Sequence, residues 1–337
     1  MTDRRSDHST GPDPQSPADQ APQGETPPEA GNPKVLPAVR RPSWDLRAPR
    51  RQTVPMVFSS PHSGRDYPAD FVDASPLALA QLRRSEDAFV DEIFAGAPDF
   101  GAPLLRALFP RSYVDANREP YELDPEMFEG ELPDYVRTRS VRITAGLGTV
   151  PRVVADGAVI HPGPLVFEDA RARIERHHLP YHRTLEHLLR ATRERFGGVL
   201  LVDCHSMPSS GAPGSHGSKA GRPIKNVDIV LGDCHGAACA AAISDVAEDT
   251  LHRLGYRVRR NRPYAGGYIT RHYGRPAEGS HALQIEINRA LYMDEATIQR
   301  TPGLASVMRD MNRLIDALAQ AMPAVLEAAG DIADAAE

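Results

Sequence analysis

The stretch that most constrains this chain is Gly198-Val199-Leu200-Leu201-Val202-Asp203-Cys204-His205-Ser206-Met207-Pro208, an apolar run that breaks abruptly into polar residues. Set behind a Gly-Gly pair and ahead of a Ser/Pro/Gly-rich segment, it has the pattern of a strand buried on both faces. Ligands of open α/β sheets collect outside the carboxyl ends of strands, so this strand would deliver Asp203 and His205 to a crevice. Taken alone, His205 could equally be a satisfied structural histidine at a strand end. Its meaning depends on partners.

The first partner lies early in the chain. Val54 to Ser60 is another short apolar run, and it ends in Pro61-His62-Ser63-Gly64, a second strand-end histidine in a small-residue loop. Asp73 to Pro76 carry a helix start signal, and apolar residues from Leu77 to Phe94 recur mostly at helical spacing, so one helix is predicted there. Asp87 and Asp91 would share a face of it. Near the other end, His281 to Arg289 alternates as a strand does, with Leu283, Ile285 and Ile287 on one face and Gln284, Glu286 and Asn288 on the other. A carboxylate projecting from the middle of a sheet needs a partner, and Glu286 is such a carboxylate.

Between these motifs, Leu104–Phe109 and Ser112–Asp115 read as two short strands or one bulged strand leading to Asn117-Arg118. Residues 122–148 read as an irregular substrate-side loop holding Arg137, Arg139 and Arg142. A helical stripe from Phe167 to Phe196 should be kinked or split by Pro180. On it, His177, His178 and His182 read as solvent-facing groups without chemistry. The last helix, from about Gly303 to Gly330, carries a plain core stripe. Residues 1–51, rich in Pro, Asp, Glu, Gln, Ser and Gly, read as a disordered tail, because such a segment cannot bury enough apolar surface to offset its ordering entropy. Residues 52–330 would form the catalytic domain.

Composition removes several classes of partner. The 337 residues carry 39 Lys and Arg against 45 Asp and Glu, with no basic stripe, which argues against nucleic acid. No apolar run is long enough to span a membrane, and the N-terminus shows no signal-peptide pattern. Three cysteines, Cys204, Cys234 and Cys239, form no CxxC pair and suit a reducing, cytoplasmic compartment. Oligomeric state is not legible.

Two strand-end histidines with one carboxylate, leaving an open position for water, make a catalytic zinc site. A glutamate beside that water could serve as general base, and an arginine fork could hold a substrate carboxylate with two hydrogen bonds. The set reads as hydrolysis of an acyl bond next to a carboxylate. Cys204 paired with His205 would make a cysteine hydrolase instead, but adjacent strand residues face opposite ways, which separates the two side chains.

Pro61-His62-Ser63-Gly64, Tyr113-Val114-Asp115-Ala116-Asn117-Arg118, Asp203-Cys204-His205-Ser206-Met207-Pro208, Asn261-Arg262-Pro263-Tyr264-Ala265-Gly266-Gly267 and Leu283-Gln284-Ile285-Glu286-Ile287-Asn288-Arg289, in this order, resemble the N-formylglutamate amidohydrolase family, from about Val54 to Leu318. That family is similar to the zinc carboxypeptidases and aspartoacylases. The resemblance implies a three-layer α/β/α fold around a mixed, mostly parallel sheet of about eight strands. It implies His62 and His205 as ligands of one Zn2+, Glu286 as general base, and Asn117 and Arg118, with Arg289, as substrate contacts. It also implies a small-molecule N-formyl or N-acyl amino acid as substrate and a place in amino-acid catabolism, such as histidine degradation. The His-x-x-Glu motif of zinc carboxypeptidases is absent, since Arg65 stands third after His62. Asp66 is adjacent, but the Ser85-Glu86-Asp87-Ala88-Phe89-Val90-Asp91 segment resembles the family's counterpart, which implies Asp87 as the third ligand, with Glu86 in reserve and Asp91 facing the same way one turn later. A hydrolase of another N-acyl amino acid or small peptide, or a non-catalytic binding relative, are the competing readings.

Overall fold

The computed structural model describes residues 42–209 and 227–334. The first 41 residues of the expected tail lie outside it, as do residues 210–226 of the Gly/Ser/Pro-rich segment after Met207. Ordered chain begins before the expected boundary at 52. Trp44–Arg47 forms strand β1 at the sheet edge, antiparallel to β3 (Leu104–Ala107). Trp44 and Leu46 pack onto the core, and Asp45 accepts a hydrogen bond from Arg106 at 2.8 Å. Four alternating residues are too few to stand out against a Pro-rich background, so the composition masked them.

Seven strands make one sheet in the order β1-β3-β2-β4-β7-β5-β6, where β2 is Met56–Ser60, β4 Val199–Met207, β5 Ile229–Gly232, β6 Val258–Arg260 and β7 Ser280–Asn288. The pairs are parallel except β1 with β3 and β5 with β7. The sheet is thus mixed and mostly parallel, with seven strands among the described residues where about eight were expected. A small ribbon of β8 (Met293–Asp294) and β9 (Gln299–Arg300) stands apart from it. The helices are α1 (Ala69–Ala74), α2 (Leu79–Leu82), α3 (Val90–Ile93), α4 (Val141–Thr144), α5 (Phe167–Arg173), α6 (Leu179–Phe196), α7 (Ala241–Arg253), α8 (Tyr268–Tyr273) and α9 (Gly303–Asp334).

The period-two alternation of the central strands builds the three layers. Leu200, Val202 and Cys204 of β4 join Leu283, Ile285 and Ile287 of β7 in one core with α3, α7 and α9. Val199, Leu201 and Ala282 face the opposite core, made by Tyr181, Leu185 and Leu189 of α6 with Phe167 and Ala170 of α5. Each Val, Leu, Ile or Phe side chain among them, fully buried, contributes roughly 1.5–3 kcal/mol. Alternation then sends Asp203, His205, Gln284 and Glu286 to the α6 face, and the register pairs Asp203 with Gln284 and His205 with Glu286.

Three elements depart from expectation. The helix predicted from 73 to 94 is broken: α2 runs into a short 3-10 turn, residues 86–89 are non-helical, and Phe89 adopts a left-handed φ of 67° before α3 begins. Ser63 Oγ bridges the Asp87 carbonyl and the Asp91 amide, and the Asp87 amide donates to the His62 carbonyl, so the His62 loop pulls this segment out of the helix. Ser112–Asp115 is a turn rather than a strand. The long helix divides at a π turn over 174–178, and Pro180 stands in the first turn of α6, where its missing N–H costs nothing. Within that turn His177 and His178 are buried, contrary to their reading as surface groups.

Candidate metal centre and active site

The loop after β2, the broken segment before α3 and the end of β4 meet at one point. One donor atom each from His62, Asp87 and His205 lies within 4.8 Å of the other two, and all three residues are buried. Asp87 Oδ2 sits 2.9 Å from His205 Nδ1 and 3.4 Å from His62 Nδ1. Asp87 reaches this point because residues 86–89 are non-helical; the break that overturns the predicted helix also frees the carboxylate. The alternatives are engaged elsewhere or face solvent. Glu86 accepts two hydrogen bonds from Arg83, Asp91 accepts from Arg106 at 2.7 Å, and Asp66 is exposed. Arg65 reaches Asp91 and Glu92.

Each of the three side chains is held from behind. His62 Nε2 lies 2.7 Å from Asp115 Oδ1, and His205 Nε2 lies 3.0 Å from Asp203 Oδ1. Arg289 donates to Asp87 Oδ1 at 3.0 Å. Carboxylates behind the far ring nitrogens orient both rings so that each Nδ1 faces inward. Among the described residues, His62 Nδ1 is buried and has no hydrogen-bond partner. A buried imidazole nitrogen without a partner, aimed at a carboxylate and a second imidazole, fits a cation of the kind that takes nitrogen and oxygen donors.

The electrostatics agree. Burial opposes the charge of Asp87, yet the neighbouring His205 and His62 imidazoles hold its carboxyl well below the usual range. Burial likewise opposes the charge of Asp115, and Arg118, His62 and Arg111 hold it down. At His205 burial disfavours the proton, while Asp203 and Asp87 raise the imidazole well above its ordinary value. This pocket stabilises positive charge between its donors.

Glu286, opposite His205 on β7, accepts a hydrogen bond from Gln284 Nε2 at 2.9 Å. Burial first, with Asp87 adding to it against His205, pushes its carboxyl up to about 7. Arg111 was missed in the sequence because it sits in an unremarkable Pro-Arg-Ser turn. Its guanidinium donates to Asp115 Oδ2 at 2.9 Å and stands 3.7 Å from Asp87 Oδ1. The expected clamp is more committed than its sequence suggested. Asn117 Oδ1 accepts from the Ile269 amide at 2.8 Å, and its Nδ2 lies 3.0 Å from His205 Nε2. Arg118 spends Nε on the Leu147 carbonyl and one terminal nitrogen on the Asn117 carbonyl, leaving the other terminal nitrogen 3.7 Å from Asp115. Arg289 bonds Ser206, the Arg84 carbonyl and Asp87, which makes it a support of Asp87 rather than a free substrate contact.

Fold and site together define a class: an α/β hydrolytic enzyme with a two-histidine, one-carboxylate pocket suited to a cation at the strand ends. A sequence model of N-formylglutamate amidohydrolase matches residues 54–293. An N-formylglutamate deformylase of Pseudomonas aeruginosa is 32% identical over 250 residues, covering 73% of this chain and 85% of that protein. One of Pseudomonas putida is 29% identical over 245 residues, 72% and 83% of the two chains. The crystal structure of an N-formylglutamate amidohydrolase from Ralstonia eutropha superposes with a TM-score of 0.76 at 36% identity, over 85% of this chain and 99% of that one. This chain belongs to the N-formylglutamate amidohydrolase family, and it is a hydrolase of linear amide bonds. No described helix is long and apolar enough to cross a membrane.

Proposed function

We propose that the protein hydrolyses N-formyl-L-glutamate to formate and L-glutamate, using one divalent cation, zinc by preference, held by His62, Asp87 and His205. The observation that supports this most is the partnerless, buried Nδ1 of His62 facing Asp87 and His205, each already backed by its own partner. A cation bound there would supply Lewis-acid polarisation and acidify water near neutral pH.

The chain's own groups then divide the work. Glu286, with its carboxyl brought to about 7 by burial, takes a proton from the attacking water at one Oε and returns it to the departing amide nitrogen. Arg111, tied to Asp115, places positive charge where the formyl oxygen gathers negative charge. The terminal nitrogen of Arg118 that stands 3.7 Å from Asp115 receives the substrate's α-carboxylate. Asn117 holds α8 against this wall. Three free cysteines support a reducing, cytoplasmic setting.

The test is metal analysis of the purified protein alongside formate release from N-formyl-L-glutamate. One divalent ion per chain, with formate release abolished by chelation and restored by Zn2+, is the expected result. Metal-free protein with full activity would sink the assignment.

A further inference from the structure

Arg118 does not stand alone. The turn that accepts its Nε hydrogen bond, at the Leu147 carbonyl, is closed by the Leu147 amide donating to the Arg142 carbonyl at 2.8 Å, so Arg142 on α4 belongs to the same wall. On the other side, α8 docks on Asn117 through the Ile269 amide, and Thr270 donates to Asp203 at 3.1 Å. A Cβ on Gly267 would collide with the Asn117 side chain, so glycine there allows this close approach. Arg271 is the next residue of that helix and is exposed.

The backbone contacts set Arg118, Arg142 and Arg271 in one wall, close enough for their charges to act on one another. Arg142 is held down to about 9, first by the charge of Arg118, then by burial and by Arg271. The carboxylates nearby are already engaged: Asp115 serves His62 and Arg111, and Glu122 accepts from Ser140. Among the described residues, neither Arg142 nor Arg271 makes a hydrogen bond or ion pair with a carboxylate. Neighbouring Arg137 is paired with Glu119, and Arg139 is exposed. Asp115 and Glu122 act on Arg142 only from a distance, so its half-buried positive charge is incompletely matched, and an anion from outside would relieve it.

We infer that Arg142, assisted by Arg271, binds the side-chain carboxylate of the substrate and so selects N-formyl amino acids that are dicarboxylic. This inference rests on the proposed amidohydrolase reading. Arg118 takes the carboxylate next to the scissile amide, and Arg142 takes the one at the end of the side chain. A neutral side chain of the same shape leaves Arg142 desolvated and unmatched, which is how a charged site rejects an isostere.

The experiment compares N-formyl-L-glutamate with N-formyl-L-glutamine in the wild type, Arg142→Gln and the surface variant Arg271→Gln, as metal-loaded full chains. Melting temperatures of each protein with L-glutamate or L-glutamine are read in parallel. The wild type should favour the glutamate substrate, and Arg142→Gln should lower its kcat/KM by about ten- to a hundredfold while changing the glutamine substrate little, the size of a lost charge-assisted hydrogen bond. Arg271→Gln should show the same selective loss, smaller. L-Glutamate should raise the wild-type melting temperature more than L-glutamine does, and Arg142→Gln should lose that difference. Equal losses on both substrates, or no loss on either, overturn the inference. Should the wild type release no formate from either substrate, the amidohydrolase reading fails, and the melting-temperature comparison decides the role of Arg142 by itself. Should Arg142→Gln not fold, the selectivity of Arg271→Gln decides it.

Discussion

The donor pocket and the arginine wall lie side by side and are built on opposite plans. In the donor pocket each of the three side chains has a partner behind it: Asp115 for His62, Arg289 for Asp87 and Asp203 for His205. In the wall, Arg118 is tied to two backbone carbonyls, while Arg142 and Arg271 have no bonded carboxylate among the described residues. A closed network fixes one geometry for one ion. An open network of like charges leaves its final term to a ligand, and so can discriminate among ligands. On the proposed reading, position and selectivity fall to different halves of the site.

If that division is right, removing a donor should do the most damage. His205→Ala deletes one of three inward-facing atoms and leaves Asp203 without its imidazole, so the protein should emerge without bound metal and with formate release at background. Stoichiometric metal and measurable turnover in a folded His205→Ala protein would break the comparison at its first term. Glu286→Gln should come next. It keeps shape and hydrogen-bonding reach while deleting basicity, so metal should stay bound while kcat falls by about a hundred- to ten-thousandfold. A variant that instead loses stability and keeps its turnover per folded molecule would make Glu286 a structural carboxylate. Smaller still is Asp203→Asn, which can accept the same hydrogen bond from His205 without the charge. Groups of this kind typically change metal affinity or activity by about ten- to a hundredfold, to be read by competition with a chelator. An unchanged affinity would mean that Asp203 serves Thr270 more than His205.

The sequence carried the donor pocket better than the wall, for a physical reason. His62, His205 and Glu286 stand on or just after strands, where alternation and strand ends fix direction from spacing alone. Asp87 is the expected carboxylate that the structure brings to the two histidines, though the expectation placed it on a continuous helix that the structure breaks. The pull of Ser63 on the chain at Asp87 and Asp91 is a tertiary contact with no local signal. Arg111, Arg142 and Arg271 sit on turns and very short helices, where periodicity says nothing about direction. Strand β1 escaped notice because its signal is four residues long, whereas the two nine-residue strands that carry the site declare themselves.

The least disruptive test concerns how the wall is supported. His178 donates Nε2–H to the Arg118 carbonyl at 2.9 Å, and its ring stacks on His182, which in turn lies 2.8 Å from the Ala116 carbonyl through its own Nε2. Tyr268 lies beside both rings, and Asp115 acts on His178 from a distance. Burial pushes the His178 imidazole down to about 4 from its ordinary value near 6.5. Native protein therefore keeps the ring neutral while unfolded chain binds a proton, so its contribution is complete above about pH 6.5 and is lost as the pH falls toward 4. At about 1.4 kcal/mol per pH unit, one such group can remove up to about 3 kcal/mol across that window. His178→Gln retains a donor for the Arg118 carbonyl and cannot titrate. Relative to the wild type, its unfolding free energy should fall less steeply between pH 6.5 and 4, with kcat at pH 8 close to unchanged. Parallel acid-unfolding curves for the two proteins would show that His178 is already charged in the native state, and the carbonyl behind Arg118 would then need another support.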